Sequence, residues 1–540
     1  MTSTVPTPTA EEFTDSADST AERSAGPRRG WWPVAAGLGV VFLVGVWSAW
    51  FFTIDDAYIT FRYSANFAAG HGPVWNPGEN PVEGFTNFLW MLWHTPFAWL
   101  GLNLPAVAKV TSFAAGAAIL VMLVRYCRTN HGLVAAVVAG SAFVLYLPTY
   151  FHITSGLETV AFAALVLRAV IVGLNAIEGR RVRIWEAPLL LVLAGMLRPD
   201  GVLAALPAFL VWLWTARRDR RAWLFTAIAA VVGAGYFAWR WSYYGYPFPN
   251  TYYVKFGNIT AGTAWLDTTV WLYAPLLVLT AALLLWRNTR KAALVLCATV
   301  VTTSLTYVVS GPTMDYLHRF AFHTFPVLCL STGIAAGVIV RSGGKAWLSI
   351  TAGTVAGLLA TGWVAVAGLQ APDLPVIANY GPDLARAHVA IGQGLAKADI
   401  PADAKVIALH DAGAMSYYSG WRTVDFIGLN DEPIAHGADP TTVVASAHPT
   451  VIVVRSYGPG PVATAYHTNI REAARGYVHI ARVQMRNGYY LHIYVVPQYA
   501  DQVRAAVMPV VDQAQHTYDP GSYGDTIHRW LTRLRHDLPW

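Results

Sequence analysis

The chain has 540 residues, 55% of them hydrophobic and only 13% charged, about half the charged fraction of an ordinary soluble domain. Its net charge of +6 is scattered through short loops between apolar blocks, which excludes a nucleic-acid surface. Apolar blocks long enough to cross a hydrocarbon layer of about 30 Å recur through residues 31–368. The expected class is therefore a polytopic α-helical membrane protein.

Residues 1–30, rich in Ser, Thr, Pro, Ala and Glu, read as a disordered cytoplasmic tail. No small-residue cleavage site follows the first apolar block, so it reads as a retained helix and not a signal peptide. About eleven spans are expected, near 31–52, 105–124, 132–147, 157–175, 184–197, 201–214, 222–239, 268–285, 292–310, 321–340 and 346–369. The blocks at 184 and 201 are short for full spans. Arginines and lysines bunch in the loops at 125–128, 180–183, 217–221, 287–291 and 341–345, which the positive-inside rule places in the cytoplasm. The outer face then holds 53–104, 148–156, 198–200, 241–267, 311–320 and everything after 369. Residues 86–102 carry three tryptophans, a histidine and a proline. A span there would break this parity, so the block reads as a helix lying on or dipping into the outer leaflet.

Past residue 369 the hydrophobic runs shorten. Residues 381–397 have helical periodicity, and 405–409, 450–454, 477–483 and 489–496 read as strands. Asn487-Gly488 between the last two is a hairpin signal. The expectation is a transmembrane domain over 31–369 and an extracytoplasmic α/β domain over 370–540, with an amphipathic helix near 523–534. Cys127, Cys297 and Cys329 lie in or beside apolar blocks without a CxxC pair and read as small core residues.

Unusual polar residues gather in the outer segments. Asp55 and Asp56 stand in tandem just past the first span. Adjacent carboxylates repel, and they suit chemistry, a divalent cation such as Mg, Mn or Ca, or a cap on the next helix. The same loop carries Tyr58, Arg62, Trp75, Glu83 and Asn87; later outer segments add Glu158, Arg198, Asp200, Asn250, Tyr253, Lys255, His318 and Arg319. Ionisable groups at membrane depth are costly and usually functional. Carboxylates bind or deprotonate sugar hydroxyls, cations hold phosphate, and aromatic rings stack on sugars, so the set suits a sugar phosphate. Plainer readings stand beside this: Arg62 as an interfacial anchor, Arg198–Asp200 as a turn-closing pair, and the tyrosines of 243–253 as an aromatic belt. No His/Cys spacing suggests zinc. A transporter or flippase of lipid-linked sugar and a non-catalytic glycan-binding scaffold are the competing classes.

The run DDAYITFRYSANFAAGHGPVWNPGENPVEGFTNFLW, residues 55–90, resembles the polyprenyl-phosphate-sugar-dependent glycosyltransferases of the GT-C fold. It is most similar to actinobacterial membrane arabinofuranosyltransferases of the terminal β-(1→2) type. SGLET at 155–159, LRPDG at 197–201, YGYPFPNTYYVK at 244–255 and HDAGAMSYYSG at 410–420 carry the likeness to about residue 431. The resemblance implies a lipid-linked donor such as decaprenyl-phosphoryl-arabinose. It also implies an envelope polysaccharide acceptor such as arabinogalactan or lipoarabinomannan, and a site on the outer face of the cytoplasmic membrane. Carried over, the catalytic carboxylate is Asp55 or Asp56. It would act as general base if the anomeric centre inverts, and as nucleophile or cation stabiliser if the centre is retained. Arg198, Lys255, His318 and Arg319 are the expected partners of the leaving phosphate.

Overall fold

A computed structural model describes residues 31–342 and 346–518. The expected disordered tail, Lys345 and the amphipathic helix near 523–534 lie outside the described residues. Among the described residues, seven helices are long and apolar enough to cross a membrane: Leu104–His131, Thr159–Ile177, Arg220–Tyr244, Ile259–Leu285, Arg290–Ser310, Tyr316–Ser342 and Ala346–Leu369. Leu133–Leu145 and Pro148–Thr154 form an eighth span if the pair, bent by 66°, counts as one. Trp32–Ser48, Glu186–Leu197 and Gly201–Ala216 are apolar but shorter. Each of the eleven apolar blocks is thus a helix. The segment expected as an outer loop at 148–156 is largely helical and buried.

The helices divide into centre and rim. Tyr316–Ser342 is 83% buried over its apolar window, whereas Arg220–Tyr244 is only 6% buried. The central helix packs closely because it carries Gly333 and Gly337 one turn apart. A Cβ at either would meet a backbone oxygen, Ala135 O at 2.6 Å or His131 O at 2.7 Å. Small residues spaced by four let membrane helices approach to backbone distance.

The segment 53–104, expected as the first outer loop, is half helix, Asp55–Ala68 and then Phe88–Trp99. On the second, Trp93 and Trp99 are exposed, while Trp90 is buried and donates to Gly156 O at 3.0 Å.

The C-terminal region contains a five-stranded sheet in the order β2-β1-β3-β7-β6. Its strands are β1 (Val406–Leu409), β2 (Arg422–Asp425), β3 (Val451–Ser456), β6 (Val478–Arg486) and β7 (Tyr489–Val495); β4 (Thr464–Ala465) and β5 (Thr468–Asn469) form a small separate ribbon. β1 pairs in parallel with β2 and β3, and β7 runs antiparallel to β3 and β6. The four expected strands and the Asn487-Gly488 hairpin are present. β2 was not expected, because four residues with charged ends carry no alternation. The helix Ala500–Thr517 was also not expected. It contains Pro509 and many polar residues, yet it buries Val503, Val507 and Val511 at every fourth position.

This region rests directly on the start of the 53–104 segment. Phe52, Tyr58 and Phe61 share one apolar cluster with Ile391, Met415 and Trp421. The helix Asp55–Ala68 therefore lies between the membrane helices and the C-terminal region, and that position decides what its side chains do.

Candidate active site

The two tandem acids occupy the first turn of Asp55–Ala68, where negative charge suits the helix dipole. Ile54 holds the cap position, and no side chain caps that end. A helix turns each successive residue by about 100°, so the acids part. Asp55 is buried and accepts hydrogen bonds from Gly413 N–H at 3.2 Å and Ala414 N–H at 2.8 Å. Only glycine fits opposite it, since a Cβ at Gly413 would lie 2.1 Å from Asp55 O. Asp56 is 27% exposed, and its carboxylate faces Arg319 Nη1 at 3.8 Å.

Burial pushes the Asp55 carboxyl up to about 7, against the pull of His388. Folding raises this group above its unfolded value near 4. The stability linked to it is complete below about pH 4 and is lost as pH rises through about 7. Buried Glu83, also raised to about 7, and Asp425, raised to about 6, slope the same way. We therefore expect the thermal midpoint of detergent-solubilised protein to fall between pH 5 and 8, and the fall to be shallower in Asp55→Asn. An unchanged slope in that variant would refute the buried placement.

Asp56 opens onto a cavity of about 480 Å³. It is lined in part by Asn87, Glu158, Arg198, Asp200, Lys255 and Arg319, drawn from five segments far apart in sequence. Arg198 is its hub. It donates to Glu158 Oε1 at 2.9 Å, to Asp200 Oδ1 at 3.1 Å and to the Tyr307 hydroxyl at 3.0 Å. Tyr307 donates in turn to Asp200 Oδ2 at 2.5 Å, and Asn87 Nδ2 to Glu158 Oε2 at 2.7 Å. The Arg198 guanidinium holds Asp200 below the usual carboxylate range despite burial. Both of these acids are therefore committed, and Asp56 is the lining carboxylate with slack.

The other two cations are less satisfied. Arg319 has its 3.8 Å contact with Asp56, and its Nε, buried, has no partner. Lys255 has no carboxylate within 4 Å among the described residues; burial lowers its ammonium, opposed by the charge of Asp56. Leu203, Phe248 and Phe256 extend the wall to the exposed surface of the bundle. The arrangement offers a carboxylate, two cations able to take an anion, and an apolar exit.

Seven expected substrate-binding residues lie elsewhere. The face of Asp55–Ala68 that reaches the cavity is Asp56, Ile59 and Thr60, spaced as one helical stripe; Tyr58 and Arg62 lie off it. Tyr58 packs on Tyr417 and Tyr418. Arg62, expected to bind substrate or to anchor at the interface, is buried away from the cavity. It donates to the carbonyls of Trp75, Ser416 and Trp421 and to Asn76 Oδ1, stapling the loop to the C-terminal region. Trp75 lies beneath that guanidinium and donates to Thr423 O at 3.1 Å. Glu83 pairs with Arg240 at 2.6 Å, both buried. Asn250 is buried, its N–H bound to Glu83 O at 3.0 Å. Tyr253 packs against His436 with ring centroids 4.4 Å apart, and its neighbour Tyr252 lines the cavity instead. His318 turns to Asp315 at 3.9 Å. Sequence reasoning also missed Tyr307, whose signal was the polar run TTSLTY at 302–307 inside an apolar helix.

Arg240→Ala is expected to leave Glu83 buried without its partner and to cost about 3–5 kcal/mol, read as a lower thermal midpoint. Pairing it with Glu83→Gln should recover part of that loss.

ArnT from Cupriavidus metallidurans in the apo state superposes on the chain with a TM-score of 0.54 at 11% identity, covering 88% of this chain and 98% of ArnT. The chain has the GT-C fold. ArnT bound to undecaprenyl phosphate matches with a TM-score of 0.49 at 12% identity, over 86% of this chain and 97% of that one. The terminal β-(1→2)-arabinofuranosyltransferase of Mycobacterium tuberculosis is 27% identical over 249 residues, 43% of this chain and 39% of that protein. The matched stretch is thus well under two thirds of the relative's length. A domain of unknown function (DUF8728) matches residues 378–501, which hold the five-stranded sheet. The likeness first read at residues 55–90 holds for the fold.

Proposed function

We propose that the chain is a membrane glycosyltransferase. It moves a sugar, arabinofuranose, from a polyprenyl-phosphate donor to a hydroxyl of a cell-envelope glycan on the outer face of the cytoplasmic membrane. The observation that carries this reading is Asp56 facing Arg319 in one cavity with Lys255, beside an apolar exit. The sugar assignment rests on the local similarity to the mycobacterial arabinofuranosyltransferase.

The donor phosphate sits against Arg319 and Lys255, with its isoprenoid chain leaving past Phe248 and Phe256. Asp56 takes the proton of the acceptor hydroxyl as that oxygen bonds to the anomeric carbon. The bond from that carbon to the phosphate oxygen breaks, and its electron pair leaves with the lipid phosphate. The two cations stabilise that charge more as it develops. Arg198 holds Glu158 and Asp200 in place, keeping a rigid polar wall. Asp55, with both oxygens on backbone amides, docks the C-terminal region. Both Asp55 oxygens already serve backbone amides, so this reading uses Asp56 alone and no Mg, Mn or Ca ion shared by the tandem pair.

The test is transfer by purified protein from a panel of polyprenyl-phosphate sugars to an arabinan acceptor, with linkage analysis, with and without EDTA. We expect arabinofuranose to be transferred and EDTA to have no effect. Preference for another sugar overturns the donor assignment. Transfer to no acceptor, together with movement of labelled donor across proteoliposomes, supports a flippase instead.

A further inference from the structure

A second cavity, of about 560 Å³, lies at the other end of the bundle. The helix Thr159–Ile177 joins the two: Thr159 lines the first, and Arg168, Ile171 and Val172 line the second. Five arginines line this cavity, Arg125, Arg168, Arg180, Arg181 and Arg183, against one acid, Glu186. Arg168 pairs with Glu186 at 2.6 Å and Arg180 with Glu178 at 2.7 Å. Among the described residues, Arg125, Arg181 and Arg183 have no carboxylate within 4 Å.

Topology alone accounts for arginines in the loop at 180–183. It does not account for Arg168, which stands nine residues before the end of its helix, about 14 Å along the axis. Arg125, expected in a loop at 125–128, instead stands on the helix Leu104–His131, six residues before its end. Cationic groups held at that depth mark a binding site more often than an anchor. The remaining wall mixes Tyr126, Thr129, Asn130 and Asn175 with apolar Met122, Ile171 and Val172, and Val121 is 61% exposed on the flank of the bundle. The cavity thus opens sideways, where acyl chains lie, as well as toward the arginine loop.

We propose that this cavity binds the headgroup of an anionic phospholipid. Its phosphate sits among Arg125, Arg181 and Arg183, and its chains run along Val121. Guanidinium forks match phosphate oxygens, and basic pockets between membrane helices select anionic headgroups. The site is separate from the sugar-transfer cavity and does not depend on the function proposed for it.

The test uses the full chain in a non-ionic detergent, with dioctanoyl phosphatidylglycerol, dioctanoyl phosphatidylcholine and inorganic phosphate as probes in microscale thermophoresis. Phosphatidylglycerol should bind more tightly than phosphatidylcholine. The triple variant Arg125→Gln, Arg181→Gln, Arg183→Gln should lose about a hundredfold in its affinity, three basic groups at about 1 kcal/mol each. It leaves the ion pairs of Arg168 and Arg180 intact. A charge-matched control, Arg217→Gln, Arg220→Gln, Arg221→Gln, should keep wild-type binding. Equal binding of the two lipids, or an equal loss in the control, overturns the site. Displacement of the lipid by inorganic phosphate at the lipid's own concentration assigns the cavity to a free anion and overturns the lipid assignment.

Discussion

Asp56→Asn is expected to lower sugar transfer by about 10²–10⁴-fold, the usual contribution of a general base, with a thermal midpoint close to wild type. The side chain is partly exposed, and its single charged contact is 3.8 Å long, so little structure depends on it. Asp55→Asn should behave in the opposite way. It keeps an acceptor for Ala414 N–H but turns an amide group toward Gly413 N–H, so stability falls first. A buried amide left without an acceptor costs about 1–3 kcal/mol. The comparison is informative because the two changes are chemically identical and one residue apart. Full activity in Asp56→Asn, alongside a folded but inactive Asp55→Asn, would move the base to Asp55.

Arg198→Leu should produce the largest loss of stability at the site. It strips Glu158 and Asp200 of their shared cation and leaves Tyr307 with one partner fewer. Breaking a buried charge pair by removing one member costs about 3–5 kcal/mol. Arg198→Lys should not rescue it, because one ammonium cannot span three acceptors as the guanidinium fork does. The wild-type network has its own pH signature. Asp200 is held below its unfolded value, so the stability linked to it is present above about pH 4 and is lost as pH falls through the folded value. The triple variant Arg198→Leu, Glu158→Gln, Asp200→Asn should recover stability in thermal unfolding while remaining inactive. Recovery of transfer as well would show that the donor does not need the charges of this polar wall.

The apolar helices and the unusual polar residues between them were legible because hydropathy is a local property. So was the stripe of cavity residues, in principle: Asp56, Ile59 and Thr60 follow helical spacing, while Asp55, Tyr58 and Arg62 lie off that stripe. What could not be read locally is which side of that helix is covered. Asp55 is bound by amides 358 and 359 positions away, and Arg62 by carbonyls 354 and 359 positions away. The tandem acids looked alike in sequence and were split by a distant segment, HDAGAMSYYSG, whose Gly413 admits the close approach. Arg62, Trp75 and Glu83 carried the chemistry of a ligand site but serve packing, since a buried loop must satisfy its own carbonyls and charges. Tyr307 stayed hidden because its hydroxyl is the polar end of an otherwise apolar helix.

The most direct test is a cryo-EM structure of the protein with a non-hydrolysable polyprenyl-phosphonate sugar. The account predicts the phosphonate within hydrogen-bond reach of Arg319 and Lys255, the anomeric carbon turned toward the Asp56 side, and Asp55 still on the amides of Gly413 and Ala414. A donor headgroup seated away from these cations, or an Asp56 carboxylate walled off from the sugar, would contradict it.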